Sequence, residues 1–406
     1  MVGININKFN ILTVNVGSSS VKISLLSSSD NLESVQKIID ISIANIGQAL
    51  STLTTKDNDN NSTSKNLVIK DHDSAINLIK NWLKQSGLVL DISAVGHRIV
   101  HGGPKYNQPE LLTDDIISDL ESYIDYDPEH LPGAIRFIRE FGSFMPEVPQ
   151  VACFDTAFFH DLPILSQIIP IASRYQDLGL RRYGFHGLSY SYLQDSFAKL
   201  AGDTAVKGRV IYAHLGSGSS LTATVNARPI DSTMGFTPNS GIIMSTRSGD
   251  IDSGIYPYLQ NRYGLNIDEI QKMTNDESGL LAVSDFSSDM YKLLQNESSN
   301  KKAADAVNLF VYQVKKSIGA FAAALGGLDS LIFSGGIGEK SPIIRSRICE
   351  GLGFLGVNID ENNNNQQAFL ISDNLSRIGV HVIATDEATT IYRQVVQLLT
   401  NKTGEQ

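Results

Sequence analysis

β-Forming residues run over 9–14, give way to the small and polar stretch Asn15-Val16-Gly17-Ser18-Ser19-Ser20, and resume as Val21-Lys22-Ile23-Ser24. Strand, tight turn and strand is the pattern of a β-hairpin. It occurs again about half a chain later, where residues 209–212 lead into Ala213-His214-Leu215-Gly216-Ser217-Gly218-Ser219 and then Leu221-Thr222-Ala223-Thr224. Residues 14–20 and 213–219 match position for position, so two related domains are expected. Glycine and serine at such a turn let backbone N–H groups and short hydroxyls close on an anion such as phosphate. One copy alone is equally well explained by the turn's own preference for these residues; the duplication favours binding.

Elsewhere the pattern alternates between helix and strand. A helix is expected over 73–83, strands over 148–154, 329–333 and 380–384, and one buried helix face from Val307, Phe310, Val311, Val314, Ile318 and Phe321. Residues 334–339 (Ser-Gly-Gly-Ile-Gly-Glu) read as a glycine loop, followed by Ser341-Pro342 as cap and first residue of the next helix. That order puts backbone donors and a helix N-terminus where an anion or nucleotide could sit, although such junctions also need glycine for packing alone. The polar runs at 54–65 and 362–367 read as solvated loops.

At 406 residues the chain exceeds the ~250–300 at which single cores stop growing. Two or three domains are expected, and the repeat favours two. A hydrophobic content of 42% and a charged content of 19% are ordinary for a globular protein, and a net charge of −10 argues against a nucleic-acid surface. A small-molecule partner is the better expectation. Cys153 and Cys349 stand in no metal-ligand or redox spacing and are expected as plain core residues. Residues 1–9 carry no basic-then-apolar leader and no apolar run approaches the ~18 residues of a membrane span, so a cytoplasmic protein without membrane contact is expected.

Five residues could carry chemistry. Arg98, in Gly96-His97-Arg98-Ile99-Val100-His101-Gly102-Gly103, and Arg247, in a tight polar turn, suit a transferring phosphoryl group, because a guanidinium fork matches phosphate oxygens and never loses its proton. Either alone is also explained by a structural ion pair. His186, between Gly184-Phe185 and Gly187, sits on no evident helix or strand face and could donate to developing negative charge. Asp155 closes an apolar strand, a frequent position for catalytic carboxylates, or else caps a following helix. Glu387 opens the last helix and is open between a dipole partner and a metal-shell carboxylate.

Taken together these segments resemble the acetate kinase family, short-chain carboxylate kinases of the superfamily that also holds actin, sugar kinases and heat-shock chaperone ATPases. The resemblance runs in order through the turn at 15–22, HRIVHGG at 97–103, FDTAF at 154–158, RRYGFHG at 181–187, HLGSGSS at 214–220, DSTMGFTP at 231–238, TRSGDID at 246–252, SGLLAVS at 278–284, SGGIGE at 334–339 and TDE at 385–387. It implies an α/β, duplicated ribonuclease H-like (actin-like) fold of two domains, 1–158 with 388–406 and 159–387, closing on nucleotide and acid. It implies ATP or ADP as co-substrate, with Mg²⁺, or Mn²⁺ in its place, held by Asn15 and Glu387. Lys22 would lie near the nucleotide phosphates. Arg98 would meet the carboxylate and phosphoryl oxygens, Asp155 would be the catalytic carboxylate, and His186 and Arg247 would stabilise the transition state. Val100, Phe185 and Pro238 would form a small apolar wall for the acid, and His214, Gly216, Ser217, Gly218, Asp289, Gly336 and Gly338 would line the nucleotide site. A homodimer is implied as well.

The chain departs from the family's pattern at a few positions. Tyr126 stands where a Pro-Leu-His-Asn-Pro segment would have histidine, with Asp125 before it and His130 four residues on. Ser217 and Lys340 stand where asparagine is usual, and Tyr291 where an arginine often flanks the adenine. The first group bears on the choice of acid, the second on the phosphoryl donor. Propionate or butyrate kinase is the alternative within the class, and a non-catalytic ATP-binding regulatory paralogue the alternative outside it.

Overall fold

A computed structural model describes residues 9–28, 34–59 and 61–404; the reading of residues 1–8 lies outside them. The chain forms two compact units, Met1–Phe158 with Asp386–Gln406, and Phe159–Thr385. The expected boundary at 387 thus falls two residues earlier. Glu387 begins the helix Glu387–Gly404 and bonds to Asn15, which ties it to the first unit.

In the first unit the predicted hairpin is β1 (Phe9–Val16) and β2 (Ser20–Ser28), paired Val16 to Val21 and Asn15 to Lys22. β3 (Gln36–Ala44), β4 (Ser51–Asp57) and β5 (Ser62–Leu67) extend it antiparallel on one side. On the other side β6 (Ala94–Ile99) runs parallel to β1, and β7 (Glu110–Leu111) and β8 (Gln150–Phe154) complete the order β5-β4-β3-β2-β1-β6-β8-β7. One sheet face packs on the helices His72–Ser86 and Leu131–Phe144 through Val14, Val21, Ile76, Ile79, Phe137 and Phe141. The helix Glu387–Gly404 lies so close to β6 that a Cβ at Gly96 would strike Ile391 and Val395.

The second unit repeats the hairpin as β9 (Val210–Leu215) and β10 (Ser219–Val225), with β11 (Arg228–Ser232), β12 (Ser330–Ser334) and β13 (Gly379–Val382) in the order β11-β10-β9-β12-β13. β9, β12 and β13 are parallel. The helix Lys301–Ala324 buries the predicted stripe from Val307 to Phe321 against this sheet.

The two matched turns close differently. The first spans 17–20, with Val16 opposite Val21; the second spans only 216–218, with Leu215 opposite Ser219. A one-residue slip turns every following side chain to the other face. Exposed Lys22 corresponds in sequence to Leu221, which is buried in the second core, where β10 is covered on both faces.

Three polar or glycine-rich segments differ from their reading as loops. Residues 54–65 contain the β4–β5 hairpin, whose turn is held by Asn61 N–H donating to Asp57 Oδ1 at 2.8 Å. Its threonines favour strand without supplying apolar alternation, since β5 is exposed on both faces. Residues 362–367 enter the helix Glu361–Asn365, because Asp360 caps it and Asn364 is buried to receive Arg345: Asn364 Oδ1 accepts from Nε at 2.8 Å and its carbonyl from Nη2 at 2.7 Å. The glycine run at 334–339 is mostly the helix Gly335–Lys340, in which Gly335 alone adopts a left-handed φ (74°) and a Cβ there would lie 2.6 Å from the Leu215 carbonyl oxygen. The helix expected over 73–83 runs from His72 to Ser86, capped by Asp71 and ended by left-handed Gly87.

Candidate active site

Residues with candidate chemistry gather in each unit. In the first, β1 and β6 pair Val14 with His97, and β6 and β8 pair Arg98 with Cys153, so Asn15, Arg98 and Asp155 arrive at one sheet edge. Arg98 Nε and Nη2 donate to Asp155 Oδ2 at 3.1 and 2.5 Å, and Nη1 donates to Asn15 Oδ1 at 3.0 Å. Asn15 Nδ2 in turn donates to Glu387 Oε2 at 2.8 Å. The Asp155 carboxylate is wholly buried, whereas the Arg98 side chain keeps 14% of its surface. Burial acts to lower the Arg98 pKa, but the Asp155, Glu387 and Asp127 carboxylates outweigh it and hold the value above the ordinary one. Asp155 opens a short 3₁₀ segment, Asp155–Phe159, and its carboxylate serves the arginine.

Neighbouring His97 is a core residue by contrast: burial holds its pKa down to about 4 against a hydrogen bond with Gln150 that acts upward. Val100 is buried just past the end of β6. Tyr126 sets its ring edge-on to His101, with centroids 5.2 Å apart, and His130 Nδ1 lies 2.8 Å from Asp127 Oδ1. Asp125 is exposed.

Among the described residues no group of three or more His, Cys, Asp or Glu could hold a metal ion. The hard oxygens of Asn15 and Glu387 nevertheless fit Mg²⁺, which keeps several waters and is usually bound by one or two carboxylates plus substrate phosphates. Asp155, spent on Arg98 and without exposed surface, is not suited to that duty.

In the second unit His186 is the N-cap of the helix Gly187–Ala201 and takes φ 60°, a left-handed value that costs a non-glycine residue on the order of 1–2 kcal/mol. Its ring stacks on His214 with centroids 4.4 Å apart, and its Nδ1 lies 2.8 Å from Ser220 Oγ. His214 Nδ1 lies 2.8 Å from Ser189 Oγ, which meets Thr385 Oγ1 at 2.7 Å. Both imidazoles are thus oriented from Nδ1. A Cβ at Gly218 would stand 3.2 Å from His186 Nε2 and 3.7 Å from Arg247 Nη1, so the turn, the histidine and the arginine converge. Arg247 Nη1 donates to the Pro238 carbonyl at 3.4 Å; Pro238 and Phe185 are buried.

The backbone under Arg247 is held by Gly279, whose φ is 65° and whose added Cβ would strike the Met244 carbonyl and lie 2.9 Å from that of Arg247. Gly279→Ala is expected to lower stability by more than about 1 kcal/mol and turnover by about tenfold, measured by thermal unfolding and steady-state kinetics.

A cavity of about 730 Å³ lies in the same unit, lined by Gly216, Ser217, Asp289, Tyr291, Gly336 and Lys340 among others. The structure thus gathers the expected nucleotide residues Gly216, Asp289 and Gly336 and all three departures, Ser217, Tyr291 and Lys340, around one space. Gly218 and His214 belong instead to the histidine–arginine cluster, and Gly338 faces inward, where a Cβ would meet Phe333 and Leu215. Asp289 also caps the helix Met290–Asn296 by accepting from Tyr291 N–H at 2.9 Å. Ser189, which orients His214, escapes sequence reasoning because a lone hydroxyl carries no spacing signal; Ser220 and Thr385 fall within the segments 214–220 and 385–387, but their roles beside the imidazoles carry no such signal. The cavity residues Ser245, Ser288, Gln295 and Ile343 escape it too.

The profile of the acetokinase family matches residues 10–393. The chain is 38% identical to the acetate kinase of Bacillus subtilis over 396 residues, 96% of this chain and 99% of that protein. It is 37% identical to the propionate kinase of Citrobacter rodentium over 394 residues, 96% of each. The crystal structure of a propionate kinase from Francisella tularensis matches with a TM-score of 0.88 at 34% identity, covering 95% of this chain and 98% of that one. The α/β fold with a hairpin-bearing sheet in each half is shared with that structure.

Proposed function

The chain belongs to the acetokinase family, and on that premise we propose that it catalyses reversible, Mg²⁺-dependent phosphoryl transfer between ATP and acetate, giving acetyl phosphate and ADP. The observation that carries the reading is the chain of contacts Asp155–Arg98–Asn15–Glu387, a guanidinium fixed by a buried carboxylate beside two oxygen donors suited to Mg²⁺. Acetate is already ionised at pH 7, so its oxygen attacks the γ-phosphorus without losing a proton. Catalysis then consists of positioning and charge stabilisation, as expected of phosphoryl transfer. By the resemblance, Arg98 of the first unit would meet the acid and the phosphoryl oxygens, and the turn at 17–20, with Lys22, would offer donors to phosphate. In the second unit Arg247 and His186 would take up charge on the transferring group, and the 730 Å³ cavity beside the turn at 216–218 would take the nucleoside. Mg²⁺ bound through Asn15 and Glu387 supplies neutralisation of phosphate charge.

By the resemblance, buried Val100 in the first unit and buried Phe185 and Pro238 in the second would be the apolar residues that meet the acid. Propionate is the second reading, carried by the propionate kinases among the relatives. By the same resemblance the protein would act as a homodimer in the cytoplasm; among the described residues no helix is long and apolar enough to cross a membrane.

Parallel measurement of kcat/KM for acetate, propionate and butyrate decides the acid. Acetate should lead butyrate by at least about tenfold, since each methylene in an apolar pocket shifts discrimination by roughly 1–3 kcal/mol. A lead for a longer acid would reassign the substrate, and ATP binding without transfer to any acid would make the protein a regulatory paralogue.

A further inference from the structure

We propose that His72 is a positioning residue for the first glycine–serine turn, acting by holding the carbonyl of Gly17; the proposal rests on the assignment of that turn to phosphate. Gly17 N–H closes the turn on the Ser20 carbonyl at 2.8 Å, and the Ser19 carbonyl takes the N–H of Ile46 at 2.9 Å. The Gly17 carbonyl is met by His72 Nε2 at 3.0 Å, from a helix 55 residues away in sequence. A carbonyl can only accept, so the imidazole carries its proton on Nε2.

A trans peptide is planar, with C=O and the next N–H pointing in opposite directions. Holding the Gly17 carbonyl on His72 therefore aims Ser18 N–H away from His72, in a turn where Ser18 and Ser19 are exposed. A flipped peptide would replace that donor with a carbonyl oxygen and repel a phosphate. His72 is firmly placed for the task. It opens the helix His72–Ser86, which Asp71 caps and Ala75, Ile76, Ile79 and Leu83 bury, and its ring stands edge-on to Phe137 with centroids 6.4 Å apart.

The second turn provides an internal comparison. There the equivalent carbonyl, that of Gly216, accepts from Ser219 Oγ at 3.0 Å. Ser20 aligns with Ser219 in sequence, but the register slip between the hairpins places it differently relative to its turn. Two copies thus satisfy one carbonyl by unrelated means, a local hydroxyl and a distant imidazole. That is the expected outcome of a requirement on the peptide's orientation rather than on histidine as a packing residue.

The test compares wild type, His72→Phe, which keeps a ring against Phe137 but removes the donor, and His72→Gln, whose amide donates at similar reach. Calorimetry with Mg-ATP in the absence of any acid, KM for acetate and thermal midpoints are read for each. His72→Phe should weaken Mg-ATP about tenfold, the weight of one hydrogen bond to a fixed peptide, with KM for acetate and the midpoint little changed. His72→Gln should recover most of that loss. Unchanged ATP affinity in His72→Phe, an equal loss in His72→Gln, or a matching rise in the acetate KM would each overturn the proposal. Because the calorimetry needs no acid, failure of the acetate assignment would show as absent turnover in the wild type and leave this comparison intact.

Discussion

Arg98→Ala should lower kcat/KM for phosphoryl transfer by about 10³-fold or more, the scale set by charge-stabilising arginines in this chemistry. The Arg98 fork is divided between a carboxylate and one candidate metal donor, Nε and Nη2 on Asp155 and Nη1 on Asn15, and Asn15 in turn donates to Glu387. Truncation would also leave the Asp155 carboxylate buried without its cation, a loss of about 3–5 kcal/mol for a broken buried pair. The two effects separate in Arg98→Lys. An ammonium can answer the buried charge but cannot reproduce the planar fork, so stability should recover further than activity. Thermal unfolding and kcat/KM measured on both variants check the pair of expectations. Activity restored fully by lysine would mean that a point charge suffices and that the fork geometry is incidental.

Asp155→Asn should reduce kcat by about 10²-fold through misorientation of Arg98, while leaving the shape of the pH profile unchanged. The acid substrate needs no deprotonation at neutral pH, so a general base has nothing to remove. Asp155 also lacks the exposed surface through which it could exchange a proton with substrate, and a single oxygen, Oδ2, holds two guanidinium N–H groups. The asparagine side chain can still offer an oxygen there but no charge. Rate profiles from pH 5 to 9 on wild type and variant provide the check. Loss in the variant of a limb that the wild type shows would instead assign Asp155 a proton-transfer role.

Much of the fold was legible because apolar periodicity is a direct consequence of which faces are buried. The duplicated strand–turn–strand, the stripe from Val307 to Phe321 and the Ser341-Pro342 helix start all appear where that periodicity and the capping residues put them. Where burial was supplied by polar groups, the signal failed. Asn364 is as buried as any core leucine because it satisfies Arg345, and β4 and β5 are joined by polar pairs such as Thr55 with Thr63. The matched turns also concealed a register difference, since seven aligned residues do not specify loop length. Lys22 and Leu221 occupy equivalent positions in sequence and opposite environments in the structure.

Of the candidate site, the charged members could be named from sequence, because arginines, carboxylates and a histidine between glycines are unusual in those settings. Their geometry could not be. That Arg98, Asn15, Asp155 and Glu387 join in one series of hydrogen bonds depends on the parallel pairing of β1, β6 and β8 and on the close approach of the last helix over Gly96. The hydroxyls that orient His186 and His214, and the imidazole that holds the Gly17 carbonyl, act through single contacts between segments remote in sequence. Single contacts leave no periodic trace.

Phosphoryl transfer is tested most directly by ³¹P NMR of the wild-type protein with Mg-ATP and acetate, run alongside the reverse reaction from acetyl phosphate and Mg-ADP. An acyl phosphate resonance should grow in step with ADP in the first sample, ATP should appear in the second, and neither should appear in Arg98→Ala. Consumption of ATP to inorganic phosphate alone, or ATP bound and unchanged beside acetate, propionate and butyrate alike, would contradict transfer to the acid.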